Sequence, residues 1–218
     1  MTLAILLLVS YLIGAFPTAV VAGRLTRGID IRRHGSGNAG GTNVWRVLGW
    51  KAGLTVSLVD LGKGAVAAGL VPHLPLAPVP MDPTMLAFVC GIAAVIGHVF
   101  PVYVGFRGGK GVATGGGMLL VVAPLPMGLA LAFFALILFT TGCVSLGSLL
   151  AAISVPVLVL VLNGRGITDY PILLVILTSA LAVGMIFFHR ANIGRLIRGT
   201  EKTFPKLQLW RLLVRRRG

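Results

Sequence analysis

Leu3-Ala4-Ile5-Leu6-Leu7-Leu8-Val9-Ser10-Tyr11-Leu12-Ile13-Gly14-Ala15-Phe16-Pro17-Thr18-Ala19-Val20-Val21-Ala22 carries no charge, and Arg24 and Arg27 follow it. A helix needs about 20 such residues to cross the ~30 Å hydrocarbon core of a bilayer. A cleaved leader carries its basic residues before the apolar stretch. Here they come after, so the segment reads as a retained helix, kinked at Pro17.

The rest of the chain repeats that pattern. Of 218 residues, 56% are apolar and only 11% are charged. Soluble domains carry about 25% charged residues, so an all-α integral membrane protein is expected. Further apolar runs cover 53–71, 85–99, 112–122, 127–143, 149–162 and 170–188, which makes about seven transmembrane helices. The split of 112–143 into two helices is decided by charge. Basic residues favour the cytoplasmic side. With seven spans, the segments 24–51, 104–111 and 189–218 share one side and hold 17 of the 19 Lys and Arg. The N-terminus is then outside and the C-terminus cytoplasmic. The net charge of +14 records this topology, and no nucleic-acid partner is expected. The chain reads as one domain, 1–218, with a basic cytoplasmic tail at 189–218. Cys90 and Cys143 lie in apolar runs with no metal-ligand or CxxC spacing.

Two polar, glycine-rich segments interrupt this background on the cytoplasmic side. The first is Arg32-Arg33-His34-Gly35-Ser36-Gly37-Asn38-Ala39-Gly40-Gly41-Thr42-Asn43, read as a loop. Exposed N–H groups in such a loop form a concavity that binds anions. Ser36, Asn38, Thr42 and Asn43 add short donors, and Arg33 and Arg46 add charge. Gly35-x-Gly37-x-x-Gly40 matches a dinucleotide fingerprint, but a lipid-length helix precedes it where a strand is required. The second segment is Gly105-Phe106-Arg107-Gly108-Gly109-Lys110-Gly111. A Walker A loop needs a glycine where Val104 stands and Ser or Thr where Gly111 stands, so no NTPase is implied. Arg107 and Lys110 can still neutralise a phosphate, or they can be ordinary inside-positive charges.

His98 falls at the membrane edge. His189 and Asn192 are three apart, so on a continuing helix they share a face. Histidine can act as acid, base or phosphate donor. Asp60 and Lys63, at i and i+3, form an intramembrane pair that is either functional or a clip between helices. Ser145 and Ser148 read as helix caps. No histidine has Asp five residues later, no GxSxG occurs, and no acidic cluster is present to hold Mg²⁺. Cations, amides, hydroxyls and histidines remain, a set suited to a reaction whose leaving group is already a good anion.

Three stretches resemble the motifs of one family. The first is Ser36-Gly37-Asn38-Ala39-Gly40-Gly41-Thr42-Asn43, with Arg46 after it. The second runs from Gly97 and His98 through Arg107-Gly108-Gly109-Lys110-Gly111 to Thr114. The third is His189-Arg190-Ala191-Asn192-Ile193-Gly194-Arg195-Leu196, with Gly199 and Glu201 following. Together with Asp60-Lys63-Gly64 and Ser145, they make the chain similar to the bacterial acyl-phosphate-dependent glycerol-3-phosphate acyltransferases, the PlsY family. It departs from that pattern in an extended tail after Glu201 and a long outer loop at 72–84.

The resemblance implies transfer of an acyl chain from acyl phosphate to the 1-position of glycerol 3-phosphate, giving lysophosphatidic acid and phosphate at the inner leaflet. It implies no cofactor, no metal, and no need for acyl-CoA or acyl carrier protein. It implies that Ser36, Arg46, Lys110 and Ser145 hold the donor phosphate. Asn38, Thr42, Asn43, His98, His189, Asn192 and Arg195 then hold glycerol 3-phosphate or shape the cleft, with Gly37, Gly40, Arg107, Gly108, Gly109 and Gly111 lining it. Ser36, Arg46, Lys110 and His189 are the expected catalytic residues. The alternative is a small anion transporter, which needs polar residues deep at the midplane. Here the polarity clusters at one face.

Overall fold

Proline cannot donate a backbone hydrogen bond, and Pro17 interrupts the first apolar run, which still makes one span, Thr2–Arg27. In this computed structural model, which describes residues 1–208, α1 (Thr2–Ala15) stops there and α2 (Thr18–Arg27) restarts after it. The Phe16 carbonyl at the break accepts from Thr18 N–H at 2.9 Å. All regular structure among the described residues is helical. The chain divides into two compact units, Met1–Pro124 and Leu125–Gly218.

In the first unit, α2 ends on Gly28, and a 3-10 turn follows at Ile31–Arg33. The segment read as a continuous glycine loop then turns helical. Gly41–Leu48 forms α3, and Gly49, with φ +100°, separates it from α4 (Trp50–Gly69). The short helix forms because Val44 is fully buried in a cluster with Ala19, Val20, Ile31 and Val56. A single hydrophobic patch thus anchors the polar segment. α5 (Pro83–Val99) starts from Asp82, whose carboxylate accepts from Met85 N–H at 3.0 Å, with Pro83 at the first helical position. α6 (Val112–Val122) packs closely on α4: a Cβ on Gly64 would overlap the Thr114 carbonyl, and one on Gly117 the Leu61 carbonyl. Small residues let helix backbones approach in this way inside a membrane. At 11 residues α6 is about 16 Å long.

The second unit holds α7, which starts at Pro124 and runs to Thr141, then α8 (Val144–Gly164), α9 (Ile172–Phe188) and α10 (Arg190–Ile197). The run at 112–143 is thus two helices, broken before Pro124. Ser145 and Ser148 lie inside α8 instead of capping it. α9 and α10 bend by 64° at His189, so His189 and Asn192 do not share one continuous helix. Asn163 folds the turn after α8 by binding Tyr170 through both its side-chain amide groups, at 2.6 and 3.1 Å.

Among the described residues, five helical spans are long and apolar enough to cross a membrane, and a sixth if α9 and α10 count as one bent span. Leu136, Val157, Leu160, Ile176 and Val183 stand exposed along α7, α8 and α9. Such surfaces suit hydrocarbon rather than water. The end of the expected basic tail, 209–218, lies outside the described residues.

Candidate active site

In the first unit, Asn43 shapes the first glycine segment. It sits in the first turn of α3 and is 1% exposed. Its Oδ1 accepts from Ser36 N–H at 2.8 Å, and its Nδ2 donates to the Ile31 and His34 carbonyls at 3.2 and 3.0 Å. Gly37 N–H is taken by the His34 carbonyl at 3.1 Å. Two amides of the expected loop nest are thus engaged within the loop. The donors better placed for an anion are Gly41 and Thr42 N–H, because the first amides of a helix have no acceptor within it. Gly40 caps α3 in an extended conformation, with Asn38 half-buried before it. The Ser36 side is exposed, and Arg46 lies half-buried in the last turn of α3.

The second glycine segment folds back on the end of α5. Gly108 N–H donates to the Val99 carbonyl and Gly109 N–H to the His98 carbonyl, both at 3.1 Å. Gly109 lies against the His98 ring so closely that a Cβ would overlap Nε2. Phe106 adopts φ +58°, a left-handed conformation costly for a side chain. Gly111 caps α6, so Lys110, half-buried, stands one residue before that cap.

Beneath these segments lies a buried charge cluster. Lys63 Nζ donates to Asp60 Oδ1 at 2.6 Å and to the Phe16 carbonyl at 2.5 Å. His98 Nδ1 stands 3.7 Å from the same carboxylate oxygen. Phe16, Asp60, Lys63, His98, Arg107 and Gly109 line a small cleft. The Asp60–Lys63 pair thus forms as its spacing implied, and it ties the broken end of α1 to α4.

Asp30 and Arg32 were not singled out as site residues, yet they link the two glycine segments. The carboxylate grips the guanidinium through Nε and Nη2, at 3.0 and 2.8 Å. Arg32 Nη1 then donates to the carbonyls of Val104 and Arg107, at 2.6 and 3.2 Å. The hydrogen bonds from Arg32 hold the Asp30 carboxyl at about 2, below its ordinary 3.8, against a smaller upward push from burial.

In the second unit, three expected site residues converge on Glu201. Ser145 Oγ donates to Oε1 at 2.9 Å, Asn192 Nδ2 to the same oxygen at 2.6 Å, and Arg195 Nε to Oε2 at 2.6 Å. Burial alone would push this carboxyl up. The hydrogen bonds from Arg195, Asn192 and Ser145, with the arginine charge, outweigh it and hold the carboxyl below its ordinary value. Glu201 stood among the motif residues without a role. Its signal was rarity, since the chain has only five acidic residues. His189, buried at the α9–α10 bend, has Nδ1 2.8 Å from the Met185 carbonyl. A carbonyl only accepts, so Nδ1 is the nitrogen that carries the proton in this contact.

A family model described as glycerol-3-phosphate acyltransferase matches residues 4–199. The glycerol-3-phosphate acyltransferase of Chlorobaculum tepidum is 45% identical, over 92% of this chain and 96% of its own. That of Chlorobium limicola is 44% identical, over 94% and 99%. Crystal structures of PlsY, an integral membrane glycerol 3-phosphate acyltransferase, share the fold. Its glycerol 3-phosphate form aligns with TM-score 0.80 and 34% identity over 95% of this chain and 98% of that one. Its lysophosphatidic acid form aligns with TM-score 0.78 and 33% identity, over 96% and 99%.

Proposed function

The chain belongs to the glycerol-3-phosphate acyltransferase family, and on that premise we propose that it acylates the 1-position of glycerol 3-phosphate with acyl phosphate as donor. The 1-hydroxyl oxygen attacks the acyl carbonyl carbon, the bond from that carbon to the phosphate oxygen breaks, and phosphate leaves. The hydroxyl proton passes to a substrate phosphate oxygen. The products are lysophosphatidic acid and inorganic phosphate.

The observation that carries this reading is the second glycine segment. Two backbone hydrogen bonds clamp it to the end of α5, and Lys110 follows directly. A cation on a fixed base is what a departing phosphate needs, because preorganised charge loses nothing to reorganisation as the anion grows. Ser36 and Arg46, with the first amides of α3, add donors in the same unit. In the second, Arg195 has guanidinium N–H groups beyond the one given to Glu201 for substrate oxygens, and Ser145, His189 and Asn192 shape the cleft. Asn38, Thr42 and the glycines let substrate approach the backbone.

The chain is a multi-pass integral membrane protein. We read it as a single acyltransferase domain with seven passes, N-terminus outside and site at the cytoplasmic face of the bacterial inner membrane, on the placement of 17 basic residues. α6 can serve as a short pass because most of its residues are buried against protein. Purified protein mixed with acyl phosphate and glycerol 3-phosphate should release phosphate and form lysophosphatidic acid, undiminished by chelators. Turnover with acyl-CoA alone, or none with acyl phosphate, would overturn the donor assignment.

A further inference from the structure

Arg32 reads in the sequence as one more inside-positive charge. The structure gives it a different environment. One N–H on Nε, two on Nη1 and one on Nη2 are engaged by Asp30 and by the carbonyls of Val104 and Arg107. A guanidinium has five N–H donors, so little of this one remains for a substrate phosphate. The two carbonyls belong to residues 72 and 75 positions away, on either side of Gly105 and Phe106. Both are left-handed, and Phe106, with a side chain at φ +58°, is the least favourable backbone in the segment. The other side of that segment is pinned to Val99 and His98. Phe106 N–H donates to the Pro101 carbonyl at 2.9 Å, and Arg32 adds the side-chain anchor, from a distant turn, to a strained loop that ends at Lys110.

We propose that Arg32, oriented by Asp30, is a positioning residue for the acyl transfer, bracing the second glycine segment so that Lys110 stands where charge develops on the leaving phosphate. Asp30 Oδ1 also accepts from Arg32 N–H at 3.0 Å, which fixes the guanidinium to its own turn. Asn43 ties that same turn to Ser36 through Ile31 and His34. The brace thus couples the backbone around Ser36 to the backbone before Lys110. The proposal rests on the acyltransferase reading above.

Charge and geometry predict opposite outcomes. If Arg32 served by its charge, Arg32→Lys would work nearly as well, since lysine binds phosphate as a point charge. Asp30→Asn would leave activity unchanged or raise it, because it removes a negative charge from beside an anion site. If Arg32 is a brace, lysine cannot bridge one carboxylate and two carbonyls, and Asp30→Asn loosens the fork.

The test compares Arg32→Ala, Arg32→Lys, Asp30→Asn and the exposed control Arg27→Ala in detergent-purified enzyme. The expected result is a kcat loss of roughly 10–100-fold for both Arg32 variants, as ~1 Å misplacements produce, and a smaller loss for Asp30→Asn. KM for glycerol 3-phosphate should move only a few-fold, and Arg27→Ala should match wild type. Amide hydrogen exchange should rise at 104–109 in the Arg32 variants and stay unchanged elsewhere. Near-normal Arg32→Lys, a gain in Asp30→Asn, an equal loss in Arg27→Ala, or a rise in exchange throughout the chain would each overturn the brace. Exchange is read without turnover. Absence of acyl transfer in the wild type would therefore sink the functional reading, while the exchange pattern would still decide the brace.

Discussion

Ser145 and Glu201, 56 residues apart in the chain, meet at 2.9 Å, the serine hydroxyl donating to a carboxylate whose side chain is only 5% exposed. That carboxylate gathers donors from α8 and α10, so it joins the start of one helix to the short helix after the bend. Breaking it takes this acceptor from Ser145, Asn192 and Arg195. Glu201→Ala should lower the apparent melting temperature in detergent by several degrees, as a lost charged hydrogen-bond network does.

The same contact sets a pH dependence. The folded carboxyl titrates below its ordinary 4.5, so the ionised form is bound more tightly by the folded chain. Its stabilisation is fully present above about 4.5 and is lost as the pH falls through the lower folded value. Melting temperature should therefore drop on acidification below that point, and the drop should be smaller in Glu201→Gln. Equal acid sensitivity in both proteins would show that Glu201 contributes nothing to it.

The Asp60–Lys63 pair should behave as a buried ion pair. Removing one partner strands a charge and typically costs about 3–5 kcal/mol. Lys63→Met should thus destabilise strongly, and Asp60→Leu with Lys63→Met should recover much of the loss. Thermal melts of the three proteins check this. A double variant worse than the single one would show that Asp60 is needed by another partner, His98 Nδ1 at 3.7 Å.

How much was legible in the sequence depended on distance along the chain. The run at 3–22 and its kink at Pro17 follow from local rules, as does the Asp60–Lys63 contact three residues apart. α3 was not legible: Gly40-Gly41 reads as loop, and what makes the helix is burial of Val44 beneath it, a tertiary effect. Ser145 read as a cap because its acceptor lies 56 residues on. Arg32 was illegible for a further reason. Its distant partners are carbonyls, which every residue has, so no residue type marks them.

Topology makes a direct prediction. A single cysteine placed near Gly164 should react with an impermeant thiol reagent added outside intact cells, and one near Lys206 should react only after lysis. Labelling at Lys206 from outside would reverse the proposed orientation.

Gly109 separates close packing from loop flexibility. Gly109→Ala should cut activity, because its Cβ would overlap His98 Nε2 and push the ring or the loop aside. Gly62→Ala is the matched control, since nothing lies within 4 Å of that site and its φ suits any residue. Equal losses in the two variants would mean that the contact with His98 does not matter to turnover.

Lys110 carries the mechanistic weight. The negative charge on the leaving phosphate grows through the transition state, so a contact that strengthens with it lowers the barrier. Removing one such contact costs ~10²–10³ in rate. Lys110→Ala should lose that much in kcat while melting near the wild-type temperature, because Lys110 is only half-buried. Lys110→Arg should recover activity only in part. A guanidinium is planar and wider than an ammonium, and the residue stands between Gly109, packed on His98, and the left-handed Gly111. Arg190→Ala is the comparison: that arginine is exposed and lies over the Phe187 ring, 4.5 Å from its centroid. Steady-state phosphate release checks all three. Equal losses in Lys110→Ala and Arg190→Ala would favour general surface charge over a defined phosphate contact, and near-normal Lys110→Ala would leave Lys110 a topology determinant only.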